Sequence, residues 1–327
     1  MTDRIRWGIL ATGGIADRFV ADLKLLPGAE LAAVGSRSTA AAEAFAARHG
    51  IPRAHGSWAE LAADPDLDVV YVATPHAAHH AAAKRCLDAG KAVLCEKPLT
   101  LDLDSARDLV RTARERGVFF MEAMWMRTIP AIRRVRELVA GGAIGTITAV
   151  LADFDVAGPF PPEHRMRARE LGGGALLDLG VYPVTFAYLF LGAPEQVTAL
   201  ATLGPEGTDE STAVAMSFAS GATATLHCGI LGPGPVTATV IGTQGRIELP
   251  APFFSGQTYR LVPGTPGAAA EQVEVPRRGN GLGYEAEEVM RCLAAGLTES
   301  PLVPHAETLD IMRILDQIRE QIGVTYP

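Results

Sequence analysis

The chain has 327 residues, and at roughly 100–200 residues per domain it reads as two domains rather than one small module. Hydrophobic residues make up 48% and charged residues 20%, which supplies full cores and excludes a disordered chain. The balance of 29 Lys and Arg against 37 Asp and Glu gives a net charge of −8 with no basic run, so nucleic acid is excluded as a partner. Cys86, Cys95, Cys228 and Cys292 form no C-x-x-C pair, and reduced, buried thiols in the cytoplasm are expected. No signal peptide is expected. Residues 179–194, the longest apolar run, are too few to span a bilayer and read as a buried helix, so no membrane partner is expected.

In chain order, residues 6–10 read as a strand, 11–14 as a turn, and a helix follows to about Leu26, ended by Pro27-Gly28. Residues 30–35 form a second strand, and Ser38 caps an Ala-rich helix that stops at Gly50. The β-branched run 68–74 is a strand followed by a helix to Gly90. Residues 92–95 are a strand, 103–116 a helix stopped by Gly117, and 118–121 a strand. Strands alternating with helices of 10–15 residues mean βαβ units on a parallel sheet. After Met126 the rhythm changes: a helix at 130–140, a strand at 146–154 and a helix at 175–191. The uncharged stretch 211–245 alternates as strands of an antiparallel sheet with one covered face. Two helices close the chain, the last with Ile311, Leu315, Ile318 and Ile322 on one stripe. The expected fold is α/β: a doubly wound domain over residues 1–126, then an α+β domain over 127–327 with a large, mostly antiparallel open sheet.

The first strand-to-helix turn reads Ala11-Thr12-Gly13-Gly14-Ile15-Ala16. Set against G-x-G-x-x-G/A it places Ala11, Gly13 and Ala16 at the three small positions of a dinucleotide site. A bare helix N-terminus offers N–H groups and partial positive charge to a pyrophosphate. The second strand ends in Ser36-Arg37-Ser38, without the carboxylate that holds a ribose 2′-OH. Arg37 suits a 2′-phosphate, with Ser36 or Ser38 assisting, so NADP is expected over NAD. Cys95-Glu96-Lys97-Pro98 follows a strand of this domain, and ligands bind at the carboxyl ends of such strands, which directs Lys97 toward the nicotinamide. In residues 171–183, Asp178 and Tyr182 are four apart in a Gly-rich helix start that reads as a helix meeting a ligand.

Together these strings resemble the glucose–fructose oxidoreductase/inositol dehydrogenase/MocA family. The carriers are the first turn, Val-Ala-Thr-Pro-His-x-x-His (72–79), Glu96-Lys97-Pro98 and Gly-Gly-Gly-Ala-Leu-Leu-Asp-Leu-Gly-Val-Tyr-Pro (172–183). Residues 92–98, 121–127 and 322–327 look most like its branch of dihydrodiol and D-xylose dehydrogenases. The resemblance covers the whole chain. It implies that Lys97 and Tyr182 are a catalytic pair, with Asp178 orienting Lys97 or a substrate hydroxyl. Inositol-dehydrogenase-like members carry His at the position of Tyr182, so this chain follows the dihydrodiol and xylose branch. It further implies Trp125, Phe154, Asp178 and Tyr182 around the substrate. Thr74, Pro75, His76, His79, Glu96, Trp125, Arg127 and Arg165 are implied along the cofactor. The implied reaction moves hydride between NADP, with NAD as second choice, and a sugar or cyclic diol hydroxyl. Free Tyr has a pKa near 10, and a neighbouring ammonium favours its phenolate. No metal is expected, since no His/Cys/Asp cluster has ligand spacing. A homodimer through the C-terminal sheet is expected. The alternatives are a ketoreductase of a nucleotide-linked or anhydro sugar, and a non-catalytic NAD(P)-binding regulator, which has no need of Lys97 with Tyr182.

Overall fold

The computed structural model describes residues 4–327, which divide into two units. The first unit holds the described residues through Thr128 together with Arg278–Leu309. Its sheet comprises β1 (Ile5–Leu10), β2 (Ala29–Gly35), β3 (Arg53–His55), β4 (Val69–Val72), β5 (Ala92–Glu96) and β6 (Phe120–Ala123). All pairs are parallel, in the order β3-β2-β1-β4-β5-β6, a doubly wound sheet whose direction of winding reverses between β1 and β4. The strands are Val-, Leu- and Ala-rich because helices cover both faces; β4 and β5 are buried at every residue. The crossovers are α1 (Gly14–Leu23), α2 (Thr39–His49), α3 (Trp58–Ala63), α4 (His79–Asp88) and α5 (Leu103–Arg116). Their ends follow local chemistry. The Ser38 hydroxyl accepts from Ala41 N at 3.3 Å and Asp102 from Ser105 N at 2.7 Å, while Gly50 and Gly117 end their helices at φ of 68° and 65°.

The second unit holds Ile129–Arg277 and Asp310–Pro327. After α6 (Pro130–Ala140) and β7 (Ile147–Asp155), a wide π-type turn over Leu176–Gly180 runs into α7 (Val181–Leu191). Then come β8 (Gln196–Leu203), β9 (Asp209–Ser217), β10 (Thr223–Gly229), β11 (Ala238–Gly242), β12 (Gly245–Leu249), β13 (Thr258–Pro263) and β14 (Glu271–Glu274). The eight-stranded sheet runs β14-β13-β12-β11-β7-β10-β9-β8, antiparallel except where β10 meets β7. α7 packs on β7 and β10, so one sheet face is covered. Residues 169–191 are apolar enough to cross a membrane by length and composition, yet the segment is mostly buried inside the protein.

The remaining helices are α8 (Gly283–Ala294), within the first unit, and α9 (His305–Ile322). The expected division at 126/127 is corrected: the boundary falls after Thr128, and residues 278–309 return to the first unit. The cause is Asp22 of α1. Its buried carboxylate accepts from Asn280 N at 2.7 Å, Leu282 N at 2.8 Å and Gly283 N at 3.2 Å, capping α8 from another helix. β3 and α3 were not expected, and β6 lies two residues later than the strand read at 118–121. All four cysteines are unpaired and buried.

Candidate active site

In the first unit, the turn after β1 is shaped for close approach of a ligand to the main chain. Ala11 stands at φ 94°, a region that favours glycine, which is the strain left by alanine at the first fingerprint position. Its N–H is fixed on Gly35 O at 2.9 Å. Gly13 caps α1 without a side chain, and a Cβ built on Gly13 or Gly14 meets nothing within 4 Å. The first N–H groups of α1, beginning at Gly14 and Ile15, have no helical acceptor, so this end fits a pyrophosphate. Asp17 in the first turn would oppose an anion, but Arg48 at 2.9 Å and His49 at 2.7 Å pair with it. Thr12 lies in the turn itself.

Arg37 is exposed at the end of β2, its guanidinium carbon 5.7 Å from the Trp58 ring centroid. Trp58 was not found from sequence. Ser38 Oγ accepts the capping bond of α2 and Ser36 Oγ accepts from Ser38 N at 3.3 Å, and each hydroxyl keeps its O–H to donate. Arg37 is the charged group of this trio and so its strongest donor for a phosphate.

Lys97 leaves the carboxyl end of β5 on a pinned loop. Lys97 N donates to Glu96 Oε2 at 3.2 Å, Pro98 O faces His79 Nδ1 at 2.8 Å, and Leu99 N donates to Glu122 Oε1 at 3.1 Å. Glu96 and His79 were expected along the cofactor. The structure turns both inward: Glu96 is buried and accepts the Tyr71 hydroxyl, and His79 is wholly buried with both ring nitrogens against backbone carbonyls. They are struts beneath the loop. Thr74 and Pro75 end the β4 side, and His76 is largely buried with its ring edge-on to His79, 5.6 Å between centroids. Trp125 and Arg127 share a tight turn after β6. Arg127 is only 1% exposed, pairs through Nη2 with Glu307, and keeps Nε and Nη1 without a hydrogen-bond partner. Two buried, unspent N–H donors fit an oxygen of a bound ligand.

The floor of this region is acidic. Glu285 of α8 is fully buried with both carboxylate oxygens unpartnered, and burial raises the pKa of Glu96 and Glu285. Burial likewise pushes Glu122 up to about 7, against the Thr308 hydroxyl at 3.2 Å and Leu99 N, which favour its charge. Unfolded, the same carboxyl titrates near 4.5. Between those values the folded protein keeps a proton the unfolded chain has lost, so this group's contribution to stability falls as pH rises from 4.5 to about 7. Glu122→Gln should therefore gain about 2 kcal/mol relative to wild type between pH 5 and pH 8 in urea unfolding. A wild-type-to-variant difference that stays constant across that range would contradict the buried proton.

In the second unit, the Gly-rich segment lets a helix close on the sheet. Gly174, at φ 118°, leaves room for Asp209, whose carboxylate accepts Leu176 N at 2.7 Å and starts the helix. A Cβ on Gly180 would stand 2.8 Å from Cys228 Sγ of β10, so only glycine permits this packing. Asp178 lies in the π-type turn and Tyr182 in the first turn of α7; such turns recur at functional sites. Asp178 pairs with Arg165 at 2.9 Å. Tyr182, 5% exposed, packs against Phe154 (5.3 Å between centroids) and Phe254 (4.9 Å), and these two stack at 4.6 Å. In a chain only 6% aromatic this concentration marks a wall for a ring-shaped substrate. Phe254 was missed from sequence, although the Phe253-Phe254 doublet was its visible signal. Ser211, His227 and Asp155 form a hydrogen-bonded chain on the open sheet face, at 3.1 Å and 3.0 Å. β9 is paired on both sides, so its N–H groups are committed to the ladder and leave the Ser211 hydroxyl without the oxyanion donors an acyl transfer needs.

The likenesses of the chain agree with this architecture. Trans-1,2-dihydrobenzene-1,2-diol dehydrogenase from Bos taurus is 38% identical over 99% of this chain and 98% of its own length, and that from Mus musculus 39% over 99% and 98%. The crystal structure of KijD10, a 3-ketoreductase from Actinomadura kijaniata in complex with NADP and TDP-benzene, superposes with a TM-score of 0.88 at 28% identity, covering 98% of each chain. The model of the oxidoreductase family with NAD-binding Rossmann fold matches residues 5–124, and its C-terminal domain model matches residues 132–248. The chain belongs to the GFO/IDH/MocA family of oxidoreductases.

Proposed function

We propose that the protein is an NADP-dependent dehydrogenase of a sugar or cyclic diol, oxidising an aldose at C1 or a trans-dihydrodiol. The observation that carries this reading is Lys97 on a pinned loop at the carboxyl end of β5, in a unit whose bare glycine turn and Arg37 fit a phosphorylated dinucleotide. Full-length likeness to the dihydrodiol dehydrogenases supports the substrate class.

When bound, the nicotinamide supplies the hydride acceptor. The Tyr182 hydroxyl takes the proton of the substrate hydroxyl, and returns one in the reverse direction. The family resemblance gives Lys97 the part of a cation that would favour the phenolate form of that tyrosine. Phe154 and Phe254 hold the apolar face of the ring and keep water from it. Asp178, paired with Arg165, is assigned to a second substrate hydroxyl. Trp125 and Arg127, both in the first unit, belong with the cofactor, to which Arg127 offers its two unspent N–H groups.

A second reading, reduction of a keto group on a nucleotide-linked sugar, is favoured by the likeness to the 3-ketoreductase. The test is to incubate the protein with NADP⁺ and aldoses, inositols or trans-dihydrodiols, and with NADPH and keto sugars, following nicotinamide absorbance. Oxidation of an aldose or dihydrodiol supports the first reading. Turnover confined to keto sugars replaces it with the second, and cofactor binding without turnover in either set points to a regulator. The protein works in the cytoplasm as a homodimer built through the open sheet face. Leu200 there is 76% exposed, Leu151 43%, and their cross-strand neighbours are alanine and threonine. A monomeric mass by light scattering at micromolar concentration would count against the dimer.

A further inference from the structure

His79 heads α4 and is wholly buried. Its Nδ1 lies 2.8 Å from Pro98 O and its Nε2 lies 2.8 Å from Thr74 O. Both neighbours are carbonyl oxygens, which only accept. A neutral imidazole has one N–H and one lone pair, so it satisfies one of them and turns a lone pair on the other. Double protonation would serve both. Burial opposes that first, with His76 and Lys97 nearby acting the same way, and pushes the ring down to about 4, so at neutral pH it carries a single proton. Two equivalent acceptors thus compete for one donor in a dry site, where an unmade hydrogen bond is costly.

The two carbonyls belong to the two loops of the candidate site. Thr74 ends the β4 side and leads into Pro75 and His76; Pro98 immediately follows Lys97. We propose that His79 is a positioning residue for Lys97, and that its one ring proton alternates between Pro98 O and Thr74 O, gripping one loop at a time. With the proton on Nδ1 the Lys97 loop is held and residues 74–76 are released. With the proton on Nε2 the reverse holds. Any ligand that favours one placement of residues 74–76 then biases the tautomer, and through Pro98 the stance of Lys97. The catalytic consequence rests on the reading of Lys97 given above; the tautomer exchange does not.

The experiment has two arms. Ring ¹⁵N NMR of histidine-labelled protein at pH 7, with His79 assigned by its loss in His79→Gln, reads the tautomer without turnover. Expected are averaged or doubled Nδ1 and Nε2 signals without cofactor that move toward one tautomer on adding NADP⁺. One fixed tautomer in both states overturns the exchange. In the second arm, His79→Asn places an N–H near the Nδ1 position and His79→Gln near the Nε2 position. Asn should keep kcat within about threefold and weaken NADP⁺ binding, whereas Gln should keep binding and lower kcat at least about tenfold, as misplacing a reacting group does. Equal effects of Asn and Gln overturn the positioning role. If neither variant folds, through-space contacts of the ring protons to Pro98 and Thr74 assign His79 in the wild type, and the NMR arm decides the exchange. If the wild type oxidises no alcohol, the dehydrogenase reading fails while the tautomer result stands.

Discussion

Replacing Tyr182 with phenylalanine is expected to lower turnover by about 10²–10⁴-fold, the range of a general acid–base group, while cofactor binding persists. The substitution is conservative for packing. The ring sits against Phe154 and Phe254, contacts that a phenylalanine retains, so lost activity reports the hydroxyl and not the wall. On the proposed pairing, Lys97→Met should also cut turnover, and the residual rate should need higher pH, because the phenol would lose a cation that favours its ionised form. The double variant should be little worse than the weaker single one, since both residues serve one proton transfer. The competing account gives Tyr182 only a packing role and Lys97 only a cofactor hydroxyl. Under it, Tyr182→Phe shifts substrate KM at nearly constant kcat, and Lys97→Met mainly weakens NADP⁺ binding. A Tyr182→Phe enzyme within a few-fold of wild-type kcat, with a primary deuterium isotope effect showing hydride transfer to be rate-limiting, would defeat the acid–base assignment.

Why some of this was legible in the sequence follows from range. The strands of the first unit are buried on both faces, which forces runs such as Val69–Val72 that announce themselves without any partner in view. Helix ends rest on neighbours two or three residues away, as at Ser38 and Asp102, and were equally readable. β3 and α3, with three and six residues, are too short to show a period. The return of residues 278–309 depends on Asp22, about 260 positions earlier, and no local pattern encodes it. The site divides the same way. Lys97, Asp178 and Tyr182 sit in strings dense enough to notice. Adjacency in such a string, however, says nothing of direction: Glu96 and His79 share the motifs of the pinned loop and face the interior, because Tyr71 on β4 and the Thr74 and Pro98 carbonyls claim their polar atoms. Phe254 comes from a loop, where no periodicity points inward, and only the folded chain sets it against Tyr182.

Arg37→Ala should weaken NADPH binding by roughly 10–100-fold and leave NADH within about twofold, the loss of charge-assisted hydrogen bonds worth about 1.5–3 kcal/mol. The argument rests on what ends β2. Ser36, Arg37 and Ser38 present no carboxylate that would repel a 2′-phosphate, and the two serine hydroxyls, which accept from backbone N–H groups, are neutral. That leaves the guanidinium, exposed and braced by the Trp58 face, as the cationic group of the trio. Arg37→Lys should fall between wild type and alanine, because lysine keeps the charge and loses the two-pronged geometry. The difference between NADPH and NADH should narrow as salt rises, since an exposed pair is screened. Ser38→Ala separates the cap from the phosphate role: it should cost about 1 kcal/mol of stability by unmaking the α2 cap, with NADPH affinity little changed. Titration by nicotinamide fluorescence measures each case. Equal losses of NADPH and NADH in Arg37→Ala would move this arginine from the 2′-phosphate to a general part of the fold.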